Sequence, residues 1–159
     1  MTALLIKVVS VFLLRYIKQR SSKMIIGELY RPPNHDVDKF NVSFNTLLTK
    51  LEKENAKFLL AGDYNINLIN DETHKGSENF LNQLFFHLCL PSITKPTRFT
   101  SISSTLIDNI IYDLKPLFNS ISDVKSGLLI SDVANHLPIF HLSEFYIDVN
   151  HNTVKPRYI

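Results

Sequence analysis

At 159 residues and 18.3 kDa the chain is long enough for one domain with a real core, and 45% apolar with 20% charged residues is ordinary for a globular protein. A net charge of +2 and a pI near 8.6 are only mildly basic, and the charges are scattered, so composition alone does not mark a nucleic-acid binder. One cysteine, Cys89, excludes an intrachain disulfide and a cysteine-based zinc site; within an apolar stretch it reads as a small buried core residue.

Residues 3–14 are apolar apart from Lys7. They are too few to span a bilayer and lack the basic start and small-residue cleavage site of a secretory signal. They read as one or two buried strands, with a non-native leader left by a truncated gene model as the other reading; no membrane partner is expected. The run 8–17 is rich in Val, Phe, Leu and Tyr and suits a strand. Residues 19–23 are polar and read as a turn, and 24–30 form a second strand, stopped by Arg31-Pro32-Pro33. A hairpin follows. Asp36 caps a helix whose apolar stripe is Val37, Phe40, Phe44, Leu47, Leu48 and Leu51, at steps of three and four. Residues 58–61 are a short buried strand ending at Gly62, and a polar loop runs to about Lys75. Ser77 is read as the cap of a second helix with Phe80, Leu81, Leu84, Phe85 and Leu88 inward. Pro91 and Pro96 punctuate a loop, and 106–112 and 139–146 read as further strands. This mixed order predicts an α/β layered fold.

Three polar clusters sit at the ends of these strands: Gly62-Asp63-Tyr64-Asn65, Thr105-Leu106-Ile107-Asp108, and Ser131 to Pro138 with His136 inside it. Strand ends let a rigid sheet aim side chains at a common point. Asp108, embedded among apolar residues, demands a partner, and His136 is the candidate.

Taken in order, Tyr30-Arg31-Pro32-Pro33, Gly62-Asp63-Tyr64-Asn65, Pro96-Thr97-Arg98, Thr105-Leu106-Ile107-Asp108 and Asp132-Val133-Ala134-Asn135-His136-Leu137-Pro138 resemble the blocks of the endonuclease/exonuclease/phosphatase superfamily. They are most similar to the apurinic-type endonuclease domains of non-LTR, LINE-like retrotransposons, with the resemblance covering residues 24–140. It implies a DNase I-like two-sheet α/β sandwich, with 1–159 as the larger, C-terminal part of one domain that is incomplete at its N-terminus. It implies hydrolysis of DNA phosphodiesters with Mg²⁺ or Mn²⁺, no small-molecule cofactor, and a reverse transcriptase fused in the full element. A nuclear location would follow if genomic DNA is the substrate. By position, Asp63 matches the water-activating carboxylate and Asn65 the amide that orients water and phosphate. Tyr30 matches a phosphate-binding tyrosine, His136 the histidine on the scissile phosphate, and Asp108 the carboxylate that orients that histidine. All of these should converge in one cleft.

Two departures stand out. Where the family has aspartate before its histidine, this chain has Asn135, a neutral and weaker metal ligand, preceded by Ala134 in place of serine. The family's N-terminal asparagine and metal-binding glutamate have no counterpart: before Tyr30 the only carboxylate is Glu28, within a strand. Two further readings therefore stand beside the nuclease: a catalytically dead remnant that at most binds nucleic acid or protein, and the same chemistry on another phosphoester. Missing strands predict uncovered apolar surface and self-association. Arg31 and Arg98 are read as DNA-backbone contacts or surface ion pairs, and Thr105 as either steadying the site or packing in a strand. His35, His74, His87, His141 and His151 are assigned no function, and the Phe-rich second helix is core.

Overall fold

The computed structural model describes residues 11–19, 22–55, 57–69, 74–114 and 124–142, with side chains from Met24 onward. The expected hairpin is β1 (Val11–Gln19) and β2 (Ser22–Tyr30), antiparallel, with Gln19 opposite Ser22. Residues 8–10 and the centre of the expected turn, 20–21, lie outside the described residues. After the two prolines the chain turns into α1 (Val37–Lys53). Asp36 caps it: its Oδ1 accepts the amides of Asp38 at 2.9 Å and Lys39 at 3.1 Å. A helix of this length carries the chain back to the start of the sheet, so β3 (Lys57–Asp63) pairs parallel with β2 as a βαβ unit.

Next come α2 (Lys75–Phe86), β4 (Cys89–Pro91), β5 (Arg98–Phe99), β6 (Ser104–Thr105), β7 (Asp108–Asp113), β8 (Lys125–Leu128) and β9 (Ile139–Leu142). The main sheet has the order β1-β2-β3-β7-β4, while β5-β6 and β8-β9 form two small antiparallel pairs. The strand expected at 106–112 begins two residues later, and the one expected to reach residue 146 is described only to Leu142.

Both helices lie on one face of the main sheet. On β2 the alternation is strict: Ile25 and Leu29 are buried, while Ile26, Glu28 and Tyr30 are exposed. Leu29, Phe58, Leu60 and Ile111 pack against Phe40, Phe44, Leu48, Phe80 and Leu84 of the helices. At the centre Tyr64 meets Phe80 at 5.4 Å between ring centroids, and Phe44 meets Phe80 at 5.2 Å. Its phenol donates to the Leu60 carbonyl at 2.9 Å, so this polar tip is satisfied inside the core.

The second helix departs from its expected frame. It begins at Lys75, with His74 at the cap and no side-chain cap bond; Ser77 is not the cap but a buried residue inside the helix. Phe80 and Leu84 face inward as expected, but Phe85 and Leu88 are 52% and 44% exposed: the buried stripe runs through Ser77, Phe80 and Leu84, and Leu88 lies past the helix end with φ 54°. Cys89 is buried, as its apolar stretch implied, and its thiol donates to the His87 carbonyl at 3.5 Å. His87, also buried, is held between Asn45 Oδ1 at 2.8 Å and Glu52 Oε2 at 3.1 Å and so ties the end of α2 to α1. Pro91, expected in a loop, is the last residue of edge strand β4.

Gly62 is fixed by close approach: a Cβ there would lie 1.7 Å from the Leu29 carbonyl oxygen. Gly62→Ala is expected to cost about 3 kcal/mol or more, the upper end of overpacking penalties. Urea unfolding of the two proteins measures it, and a cost below about 1 kcal/mol would show that β2 and β3 can separate here.

Candidate functional site

The register of three strands builds the site. Tyr30 lies beside Asp63 across β2–β3, and Asp63 lies opposite Asp108 across β3–β7. Neighbours in register share a face, so all three project from the side away from the helices. The fourth element arrives from the β8–β9 connection: His136 forms an isolated bridge with Arg98, and the Leu137 amide donates to the Thr97 carbonyl at 2.7 Å. His136 Nδ1 then sits 3.1 Å from Asp108 Oδ2 and 3.3 Å from Oδ1. Asp63, Asp108 and His136 each offer a ligand atom within 4.8 Å of the others. Two carboxylates and an imidazole are a donor set suited to Mn²⁺, and in their carboxylates to Mg²⁺.

The Gly-Asp-Tyr-Asn turn holds Asp63 from behind. Asn65 adopts φ 47°, a left-handed conformation that asparagine tolerates, and its amide donates to Asp63 Oδ1 at 2.9 Å. The Asn65 Nδ2 donates to the Arg31 carbonyl at 2.8 Å, so the carboxamide joins the ends of β2 and β3. Burial raises the Asp63 carboxyl above the ordinary 3.8, and the charge of Asp108 adds to this; the Asn65 amide and His136 pull the other way. Tyr30 is 43% exposed at the mouth, and Asn135 is exposed beside His136 with its carbonyl accepting the Phe99 amide at 2.8 Å.

Arg31 is not a surface ion pair. It is 3% exposed, and its guanidinium donates to the carbonyls of Tyr64 (2.7 Å from Nε), His35 and Asn65. Burial lowers its pKa, partly offset by Asp63. Pro32-Pro33 forces the chain away from the sheet, and the arginine turns inward to stitch that bend to the next motif. Arg98 makes no ion pair among the described residues, and its Nε is buried without a partner.

Thr97, part of the Pro96-Thr97-Arg98 block but given no role from sequence, positions Asp108. Thr97 is fully buried, and its hydroxyl oxygen accepts the amides of Ile107 at 3.2 Å and Asp108 at 3.1 Å. Thr105, weighed for a similar part, offers its carbonyl to the Thr97 amide at 2.9 Å. The available signal was Pro96: a proline before a lone threonine, preceding an isolated aspartate, marks a rigid turn with a hydroxyl to spend. Asn67 and Asn109 extend the scaffold, Asn67 Oδ1 accepting the Leu106 amide at 3.0 Å and Asn109 bonding both backbone groups of Ile93.

Two outcomes follow. Thr97→Val, which keeps the shape and removes the acceptor, should cost about 2 kcal/mol by urea unfolding because it strands two amides. Asp63→Asn tests the electrostatics. With its carboxyl raised, Asp63 holds a proton to higher pH in the folded chain than in the unfolded one. The stability from that proton is complete below the ordinary carboxylate value and is lost as pH rises through the folded one. In EDTA, calorimetry should therefore show Asp63→Asn melting above the parent at pH 7, with the difference shrinking as the pH falls. A lower melting temperature at pH 7 would refute the strain.

No family model and no curated protein matches the chain in sequence. Solved structures do match in fold. The endonuclease domain of TRAS1, a telomere-specific non-LTR retrotransposon, superposes with TM-score 0.64 at 11% identity, covering 84% of this chain and 64% of that one. An endonuclease/exonuclease/phosphatase family protein from Leptotrichia buccalis gives 0.61 at 17% identity, over 84% and 54% of the two chains. The AP endonuclease LMAP from Leishmania major gives 0.62 at 13%, over 80% and 53%. The chain thus spans a little over half to just under two thirds of the structures it matches. Mixed strands, two helices on one sheet face and these superpositions together show that the chain has the DNase I-like fold of the endonuclease/exonuclease/phosphatase proteins.

Proposed function

We propose that the chain is the larger part of a metal-dependent endonuclease domain that cleaves phosphodiester bonds in DNA and derives from a non-LTR retroelement. The observation that carries this reading is the grouping of Asp63, Asp108 and His136 within 4.8 Å, from segments 45 and 28 residues apart in sequence. The TRAS1 likeness gives the retroelement origin its weight.

In this reading Asp63 and Asp108 would hold Mg²⁺ or Mn²⁺, which would supply charge neutralisation at the phosphate. The chain's own residues do the rest. The Asp63 carboxylate oxygen not turned to the ion takes a proton from the attacking water. Asp108 accepts the Nδ1 proton of His136, leaving Nε2 to face the phosphate. Tyr30 lies in register with Asp63 at the mouth, where its hydroxyl can donate to a phosphate oxygen, and Asn65 positions the Asp63 carboxylate. Asn135 offers a neutral oxygen where a carboxylate would hold the cation better, so turnover by this chain alone should be slow. That same residue favours the second reading, a remnant that binds nucleic acid or protein without cutting it.

Relaxation of supercoiled plasmid in Mg²⁺, with EDTA as control, tests the assignment. Slow EDTA-sensitive nicking is expected, rising with Asn135→Asp. In that background Asp63→Asn or His136→Ala should lower it about 10²–10⁴-fold, the usual loss on removing an acid–base group. Nicking that survives both substitutions would sink the mechanism. Tight plasmid binding with no nicking even in Asn135→Asp would establish the remnant.

A further inference from the structure

The metal reading leaves the chain short of carboxylates, and the open sheet face carries one more. Ile26, Glu28 and Tyr30 alternate outward on β2, with Glu28 in register beside Ala61 and Tyr30 beside Asp63. Glu28 is therefore on the face of Asp63 and Asp108, one pleat repeat further into the sheet. A cavity of about 560 Å³ opens there, and Glu28, Asp63 and Asp108 all line it. The residues between them are small, Ala61 and Gly62, so no longer side chain separates the carboxylates. Diagonal neighbours on a sheet have Cβ atoms roughly 7–8 Å apart, and a glutamate, one methylene longer than aspartate, spans most of that gap. Among the described residues no cationic side chain pairs with Glu28, although it lies beside two further carboxylates. The three carboxylates line one cavity, with Glu28 outside the close group formed by Asp63, Asp108 and His136.

We propose that Glu28 is a third carboxylate of the cation site, reaching it from β2 along the sheet face. The inference rests on the metal reading above and adds a ligand to it. Its length matters: only glutamate at this position bridges the diagonal, and an aspartate would fall short.

Mn²⁺ titration of the full chain, followed by the electron paramagnetic resonance of the free ion at pH 7, tests this without any need for turnover. Glu28→Gln should raise the Mn²⁺ dissociation constant about tenfold, equivalent to about 1.4 kcal/mol. Glu28→Asp should weaken binding nearly as much, because it keeps the charge and loses the reach. Glu78→Gln, on the first turn of α2, should change nothing. Glu28 is exposed, so its variants should melt like the parent, and calorimetry checks this. If Glu28→Gln stays within twofold of the parent while Asp63→Asn loses the ion, Glu28 is no ligand and the metal site stands without it. If Glu28→Asp binds as the parent does while Glu28→Gln does not, the carboxylate acts only through its field, and ligation is refuted. If the parent binds no Mn²⁺ at millimolar concentration, the metal reading itself fails and Glu28 falls with it.

Discussion

Asp63 and Asp108 stand opposite each other across a pair of antiparallel strands, and much of the molecule is arranged to keep them there. Like charges in directly opposed positions weaken a sheet pair. Here they persist because the backbone around them is over-determined. Thr97 takes the amides at the start of β7, Asn65 takes one oxygen of Asp63, and Arg31 ties the carbonyls of Tyr64 and Asn65 after β3 to that of His35 in the turn before α1. The local repulsion is thus borne by hydrogen bonds made elsewhere, an arrangement typical of sites that need a ligand more than they need stability.

The sheet has two unequal faces. One is sealed by α1 and α2 through an aromatic cluster with Tyr64 at its centre, so the motif carrying Asp63 and Asn65 is anchored in the best-packed part of the chain. The other face is open at Ile26 and Tyr30, 40% and 43% exposed, and holds the carboxylates. Rigidity therefore comes from one side and access from the other. The superpositions leave about a third to nearly half of each matched structure without a counterpart in this chain. A further layer over the open face would cover Ile26, enclose the cavity and strengthen every charge interaction inside it by excluding water.

The parts of this architecture legible in sequence are those set by local periodicity. The α1 stripe, its Asp36 cap and the outward–inward alternation of β2 all depend on neighbours within a few residues. The short strands β4, β5, β6 and β8 were not legible: each has two to four residues, too few for a period to show, and each exists only because a distant partner pairs with it. The α2 frame failed for a related reason. Ser77 is a good cap type, but Gly76 packs against Val37 and Asn41 Nδ2 donates to the Gly76 carbonyl at 3.2 Å, so tertiary contact with α1 set the start of the helix. At the site, an aspartate stranded among apolar residues pointed to the need for a partner. Which way an arginine before two prolines would turn depended on carbonyls more than thirty residues away.

The fate of Arg31 also bears on the chemistry. A phosphodiester approaching two carboxylates meets net repulsion, and many phosphate sites answer this with a free guanidinium. Arg31 is near enough to Asp63 for their charges to interact, yet it is buried and its guanidinium is bonded to three carbonyls. Its charge steadies Asp63 from behind. His136 is the other basic group of the cluster, and its Nδ1 already faces Asp108. The guanidinium thus serves the bend behind Asp63, while the cluster itself sets two carboxylates, Asp63 and Asp108, against one imidazole.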